Sequence, residues 1–173
     1  MEWTGAKYAD KPTVEVQAWV DADPERVWAI VSDVRLMPEM SQELQAAEWC
    51  DGADDGVAAV GRRFVGRSKH DALGEWETTS HVVECDEPRV FTWAVHDPET
   101  PTALWRFTLE PENGGTKLRQ WMQLGPGRSG LSLAIDQMPD KEEKIVFVRL
   151  REFEKAMTGT LAAIKERAEA GRA

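Results

Sequence analysis

Three histidines, two cysteines, a single tyrosine and a scatter of serines are the side chains of this sequence that could attack a substrate or move a proton. A histidine beside a pocket serves as a general base because its pKa lies near neutrality, provided a second group orients it. Of His70, His81 and His96, only His70 falls on the face of its strand that turns inward, so it is the candidate acid/base. No carboxylate is expected to orient it, because Asp71 is its neighbour in sequence and points the opposite way along a strand. The sole tyrosine, Tyr8, precedes the first strand and is not expected in a pocket. Histidines spread from position 70 to 96, without ligand spacing, predict no metal site. Cys50 and Cys85 lack a Cys-x-x-Cys or Cys/His pattern and read as free thiols. The serines have no Gly-x-Ser-x-Gly elbow, and Gly114-Gly115 and Gly125-Pro126-Gly127 read as turns rather than phosphate loops. No cofactor is expected. Arg149 and Arg151 fall outside the apolar stripe of their helix and are expected in solvent, although an arginine near a pocket could hold a ligand carboxylate.

The elements that must position these groups are organised by one long helix near the C-terminus, expected over residues 140–170. Val146, Leu150, Phe153, Met157, Leu161 and Ile164 recur at steps of four and three, which places them on one stripe. Asp140 stands where a cap is expected, after Pro139. Roughly thirty residues span about 45 Å, so the stripe needs a broad partner. Upstream, residues 1–12 are polar and expected to be loosely ordered, and a single domain fills 13–171. Thr13 to Val20 alternates as a half-buried strand. Asp23 caps, and Pro24 opens, a short helix with Val27, Trp28, Ile30 and Val31 as its apolar face. A second turn or helix is expected near Leu36 to Met40, then a strand from Leu44 to Cys50 and an acidic loop from Asp51 to Gly56. Antiparallel strands with short turns follow from Arg62 to Leu124, and a loop with room for a short helix runs from Gly125 to Met138.

Pairing the strands through their turns fixes which residues face inward. Trp105, Phe107 and Leu109 oppose Met122, Gln120 and Leu118; Trp93 and Phe91 fall beside Trp105 and Phe107. Phe91 is expected near Val82, and Trp76 opposite His70. The inferred lining is therefore Phe64, His70, Trp76, Thr78, Ser80, Val82, Phe91, Trp93, Trp105, Phe107, Gln120 and Met122, covered from the helix by Leu150, Phe153 and Met157. It is mostly aromatic with a few hydroxyls and one amide, the composition of a small-molecule pocket.

A chain of 173 residues with 42% hydrophobic and 30% charged content is ordinary for one soluble domain. Its net charge of −10 argues against nucleic acid and against an anionic membrane surface. Nothing in the sequence approaches a membrane span, and the first residues lack the apolar core of a secretion signal, so a cytoplasmic protein is expected.

The order strand, two short helices, about six strands, long helix resembles the helix-grip fold of the START/birch-pollen-allergen-like superfamily (SRPBCC), an α+β fold in which a curved antiparallel sheet wraps the C-terminal helix. The resemblance rests on Ala22-Asp23-Pro24-Glu25-Arg26-Val27-Trp28, on Ser32-Asp33-Val34 with Met37-Pro38-Glu39-Met40, and on Trp105 to Pro111 followed by Gly114-Gly115-Thr116. More narrowly it is similar to the bacterial polyketide cyclase/dehydrase branch. That resemblance implies a binding or carrier protein for a small hydrophobic, polyketide- or lipid-like molecule, or a cyclase/dehydratase working in the same cavity. An interaction surface for another protein is a third reading, and a homodimer is left open.

Overall fold

The computed structural model describes residues 1–50 and 56–171. Seven strands form one antiparallel sheet: β1 (Thr13–Val20), β2 (Leu44–Trp49), β3 (Arg63–His70), β4 (Gly74–Asp86), β5 (Val90–Val95), β6 (Ala103–Glu112) and β7 (Gly115–Leu124). Their spatial order is β1, β7, β6, β5, β4, β3, β2. From β2 to β7 each strand therefore pairs with the next in sequence, through short turns at β3–β4, β4–β5 and β6–β7 and longer connections at β2–β3 and β5–β6. β1 forms one edge beside β7, the chain crosses from it to β2 at the other edge, and the sheet curves around the long C-terminal helix. Four α-helices accompany it: α1 (Pro24–Val31), α2 (Met37–Met40), α3 (Gly130–Gln137) and α4 (Glu142–Ala170). The acidic loop expected at 51–56 lies, but for Gly56, outside the described residues.

Turn chemistry sets the register where it matters most. Asn113 and Gly114 both take positive φ, 49° and 78°, as a two-residue hairpin turn with the right-handed twist of its strands requires. That turn places Trp105 opposite Met122 and Phe107 opposite Gln120. On the next seam Trp93 meets Trp105 and Phe91 meets Phe107, as the sequence predicts. One seam further the expected register does not hold. A bulge between Val82 and Glu84 brings Val82 opposite Trp93 and leaves Phe91 opposite Cys85. Because the extra residue is absorbed at Val83, residues 76, 78, 80 and 82 still face inward. The β3–β4 register also differs from expectation: the turn over residues 71–73 sets His70 opposite Gly74 and Trp76 opposite Ser68.

The apolar stripe of α4 forms the core's spine: Val146, Leu150, Phe153, Met157, Leu161 and Ile164 are all buried. The helix lies against β1 and β7 and is touched by α1, α2 and α3. Asp140 does not cap it. Residues Pro139–Lys141 form a separate 3-10 turn, and Lys141 stands at the cap position without a side-chain bond. Asp23 does cap α1, its Oδ1 accepting from the Arg26 amide at 2.9 Å. The N-terminal residues, expected to be loose, run against α4: Trp3 meets Phe147 edge-on at 5.1 Å, and Glu142 accepts from the Tyr8 amide at 3.0 Å. No described helix is long and apolar enough to cross a membrane.

Candidate functional site

Between the inner face of the sheet and α2, α3 and α4 lies a cavity of about 690 Å³. The sheet contributes an aromatic wall. Trp93 and Trp105 stack with ring centroids 6.3 Å apart and planes 13° from parallel. Phe64 and Phe107 flank Trp93 at 6.0 and 5.8 Å, and Phe153 of α4 meets Trp105 edge-on at 5.4 Å. Such contacts hold rings at fixed angles and leave flat faces as a binding surface. Hydroxyls from Thr78 and Ser80 and the amide of Gln120 interrupt the apolar lining. Leu73, on the β3–β4 turn, and Leu133, on α3, border the cavity and are also exposed, which marks its mouth.

Phe64, Trp76, Thr78, Ser80, Trp93, Trp105, Phe107, Gln120, Phe153 and Met157 border this space. Four other residues from the inferred lining stand behind it. Phe91 is fully buried where Trp28 of α1 covers it edge-on at 6.1 Å, and Val82 lies at the bulge beside Trp93. Met122 is sealed under the stretch of sheet on which α4 rests, and Leu150 sits within the core on the same helix.

The histidines are placed the other way from expectation: His96, which follows β5, borders the cavity and His70 does not, and the expectation that no carboxylate orients His70 is corrected as well. Its Nε2 lies 2.5 Å from Oε2 of Glu152 on α4. Its Nδ1 accepts from the amides of Ala72 and Leu73 at 3.0 and 3.2 Å. An Nδ1 that accepts is unprotonated, so Nε2 carries the hydrogen and donates to Glu152. Both ring nitrogens are thereby committed to tying the β3–β4 turn to the helix.

Arg149 overturns a second expectation. It is 6% exposed and borders the cavity. Its two terminal nitrogens donate to the two carboxylate oxygens of Glu43 at 2.6 and 2.9 Å, and its guanidinium lies 4.1 Å over the ring of Phe153. Glu152 is 3.8 Å away, so one chain of polar groups runs from Glu43 through Arg149 and Glu152 to His70. The signal was a second periodicity: Arg149, Phe153, Ala156 and Thr160 follow one another at steps of four, three and four, and all four line the cavity. Thr160 also donates to the Met40 carbonyl at 2.9 Å, fixing α2 to the helix.

Cys50 and Cys85 are free thiols. Burial pushes the Cys85 thiol above its ordinary pKa, with Glu87 and Asp86 adding to the rise. No cluster of described His, Cys, Asp or Glu residues could hold a metal ion.

An antiparallel sheet curved over a long helix, with a cavity between them, defines a helix-grip protein. The chain belongs to the polyketide cyclase/dehydrase and lipid transport family, whose sequence model matches residues 11–169, and through it to the SRPBCC superfamily. Among solved structures it is similar to the Polyketide_cyc-like protein Cgl2372 from Corynebacterium glutamicum, at 27% identity over 91% of both chains and a TM-score of 0.64. The aromatase/cyclase StfQ of the steffimycin pathway shares the fold at 13% identity and a TM-score of 0.69, over 91% of this chain and 50% of that di-domain protein. Ara h 8.0201 shares it at 15% identity and a TM-score of 0.60, over 92% of this chain and 99% of the other. No curated protein matches the chain.

Proposed function

We propose that this protein binds or carries a small hydrophobic, aromatic molecule in the cavity between its sheet and α4. The observation that supports this reading most directly is the aromatic wall of the cavity, beside which the one histidine of the described lining, His96, stands exposed at the rim with no described carboxylate bonded to it. Enolisation or dehydration needs an acid or base in contact with the substrate. His70 has both nitrogens engaged and lies off the cavity, while Glu43, which borders it, is clamped by Arg149. A cyclase or dehydratase, the activity named in the family's description, would have to break one of these arrangements or draw on His96, which no described group orients. The lining of Phe64, Trp76, Trp93, Trp105 and Phe107 needs no such change to hold a flat ring. The carrier reading takes the partner to be that small molecule, in a bacterial cytoplasm, without nucleic acid or membrane insertion.

Native mass spectrometry of freshly purified protein tests this reading, with a co-purifying small molecule as the expected result. Titration with flat aromatic compounds should also quench tryptophan fluorescence, since Trp93 and Trp105 form the wall. Turnover of a poly-ketone substrate without measurable product-free binding would overturn it.

A further inference from the structure

Among the described lining residues, Gln120 is the one polar side chain with a buried atom left unanswered. It stands on β7 between Phe107 of β6 and Val16 of β1, is 6% exposed, and its carbonyl oxygen has no hydrogen-bond partner. Trp49 Nε1 and Arg119 Nε share that condition among the described residues, but neither residue borders the cavity. A buried amide left unpaired costs free energy that a leucine of similar volume would not. Packing alone therefore does not explain a glutamine at this place.

The charged groups of the lining restrict the ligand further. Arg149 is the only lysine or arginine among the described lining residues, and Glu43 occupies both ends of its guanidinium fork. The other carboxylate on the lining, Glu77, is met by Arg67 at 3.2 Å from the outer side. Within the cavity a ligand carboxylate or phosphate would find two carboxylates and no described lysine or arginine without a partner; the one other group able to carry positive charge, His96, stands exposed at the rim. Desolvating an anion deep in the cavity therefore has no free guanidinium or ammonium to offset it.

We propose that Gln120 is the specificity-determining residue of the cavity: it hydrogen-bonds a hydroxyl on an uncharged, planar aromatic ligand, and the Glu43–Arg149 pair keeps acids and phosphate esters out. This deepens the carrier reading and rests on it. The atom left unanswered is the carbonyl oxygen, so the bond it calls for is one in which Gln120 accepts the hydroxyl's hydrogen. An ether at the same ring position offers no hydrogen for the unanswered carbonyl.

The test compares four probes built on one ring system: naphthol, methoxynaphthalene, naphthalene and naphthoate, which is ionised at neutral pH. Calorimetric titration is run on the intact chain and on Gln120→Leu. The intact chain should bind naphthol about tenfold more tightly than methoxynaphthalene or naphthalene, the effect of one neutral hydrogen bond. Naphthoate should bind weakest. Gln120→Leu should lose the preference, keep its affinity for naphthalene, and melt no lower than the intact chain. Gln120→Met, an apolar side chain close to glutamine in length, serves if the leucine variant misfolds. A preference for naphthol that survives in the variant, or naphthoate as the tightest probe, overturns the proposal. Equal binding of the three neutral probes by the intact chain overturns it too, while leaving the carrier reading in place. No binding of any probe overturns both.

Discussion

Arg149 and Glu43 face each other across the edge of the cavity as a two-pronged ion pair, its contacts 2.6 and 2.9 Å long, with the arginine side chain only 7% exposed. Glu43 directly precedes β2, the far edge strand of the sheet, so the pair closes the sheet's edge onto α4. Two parallel charge-assisted bonds fix both position and angle.

Removing one member of this pair should be costly. Glu43→Ala leaves the guanidinium buried beside Phe153 with Glu152 as its nearest carboxylate at 3.8 Å, and stability should fall by about 3 kcal/mol. The double replacement Glu43→Leu with Arg149→Met should recover most of that loss, because neither charge then has to be desolvated. Urea melts of the two single variants and the double variant measure this. Additive losses would mean the pair is not coupled.

Leu150 and Phe153 sit one turn apart on α4 but should respond differently to truncation. Leu150 is packed on all sides, so Leu150→Ala creates a new void and should cost about 3–5 kcal/mol. Phe153 already borders empty space, so Phe153→Ala enlarges an existing cavity and removes the edge contact with Trp105. Its cost should be smaller, about 2–3 kcal/mol, with the larger effect on ligand affinity. A loss below about 0.5 kcal/mol for Leu150→Ala in denaturant melts would mean that the stripe is not buried.

Much of this architecture was legible because local chemistry and global fold agree in particular places. Asn113-Gly114 is a turn by composition, and the register it imposes carries Trp105, Phe107 and Gln120 to the inner face. The step of four and three in α4 declared its buried stripe. What was not legible depended on deviations from ideal geometry. Nothing in Val82-Val83-Glu84 announces a bulge, so Phe91 was expected beside Val82 rather than Cys85; and its inward face, rightly read, meets Trp28 of α1 and not the cavity. Arg149 was read as lying off the apolar stripe, yet its place one turn before Phe153 decides its burial. Leu73 and Leu133, at the mouth, belong to a turn and to α3, whose relative placement only the folded chain displays.

The two thiols should differ in reactivity. Cys50 is exposed, whereas burial, then Glu87 and Asp86, hold the Cys85 thiol above its ordinary pKa. Fewer thiolates mean slower alkylation, so Cys50 should be modified first at neutral pH and both only after unfolding. The sign for stability follows: a raised folded-state pKa favours the folded chain below the ordinary thiol pKa. That contribution is lost as pH rises through the raised value. Mass analysis of a timed alkylation without reductant measures the order. Simultaneous modification of the native protein would contradict it.

The remaining prediction separates carrier from enzyme. His70 ties the β3–β4 turn to Glu152 and does not border the cavity, so His70→Ala should leave the affinity for flat aromatic ligands nearly unchanged. Trp93→Ala or Trp105→Ala removes part of the stacked wall and should weaken binding more, since each aromatic contact contributes about 0.5–1.5 kcal/mol beyond the area it buries. An enzyme using His70 as its acid or base would show the reverse pattern, with turnover falling about 10²–10⁴-fold while affinity held. Fluorescence titration measures the first effect, and product formation from a poly-ketone substrate measures the second. Collapse of turnover in His70→Ala, with binding intact, would show that the His70–Glu152 contact opens during a reaction and would replace the carrier reading with a catalytic one.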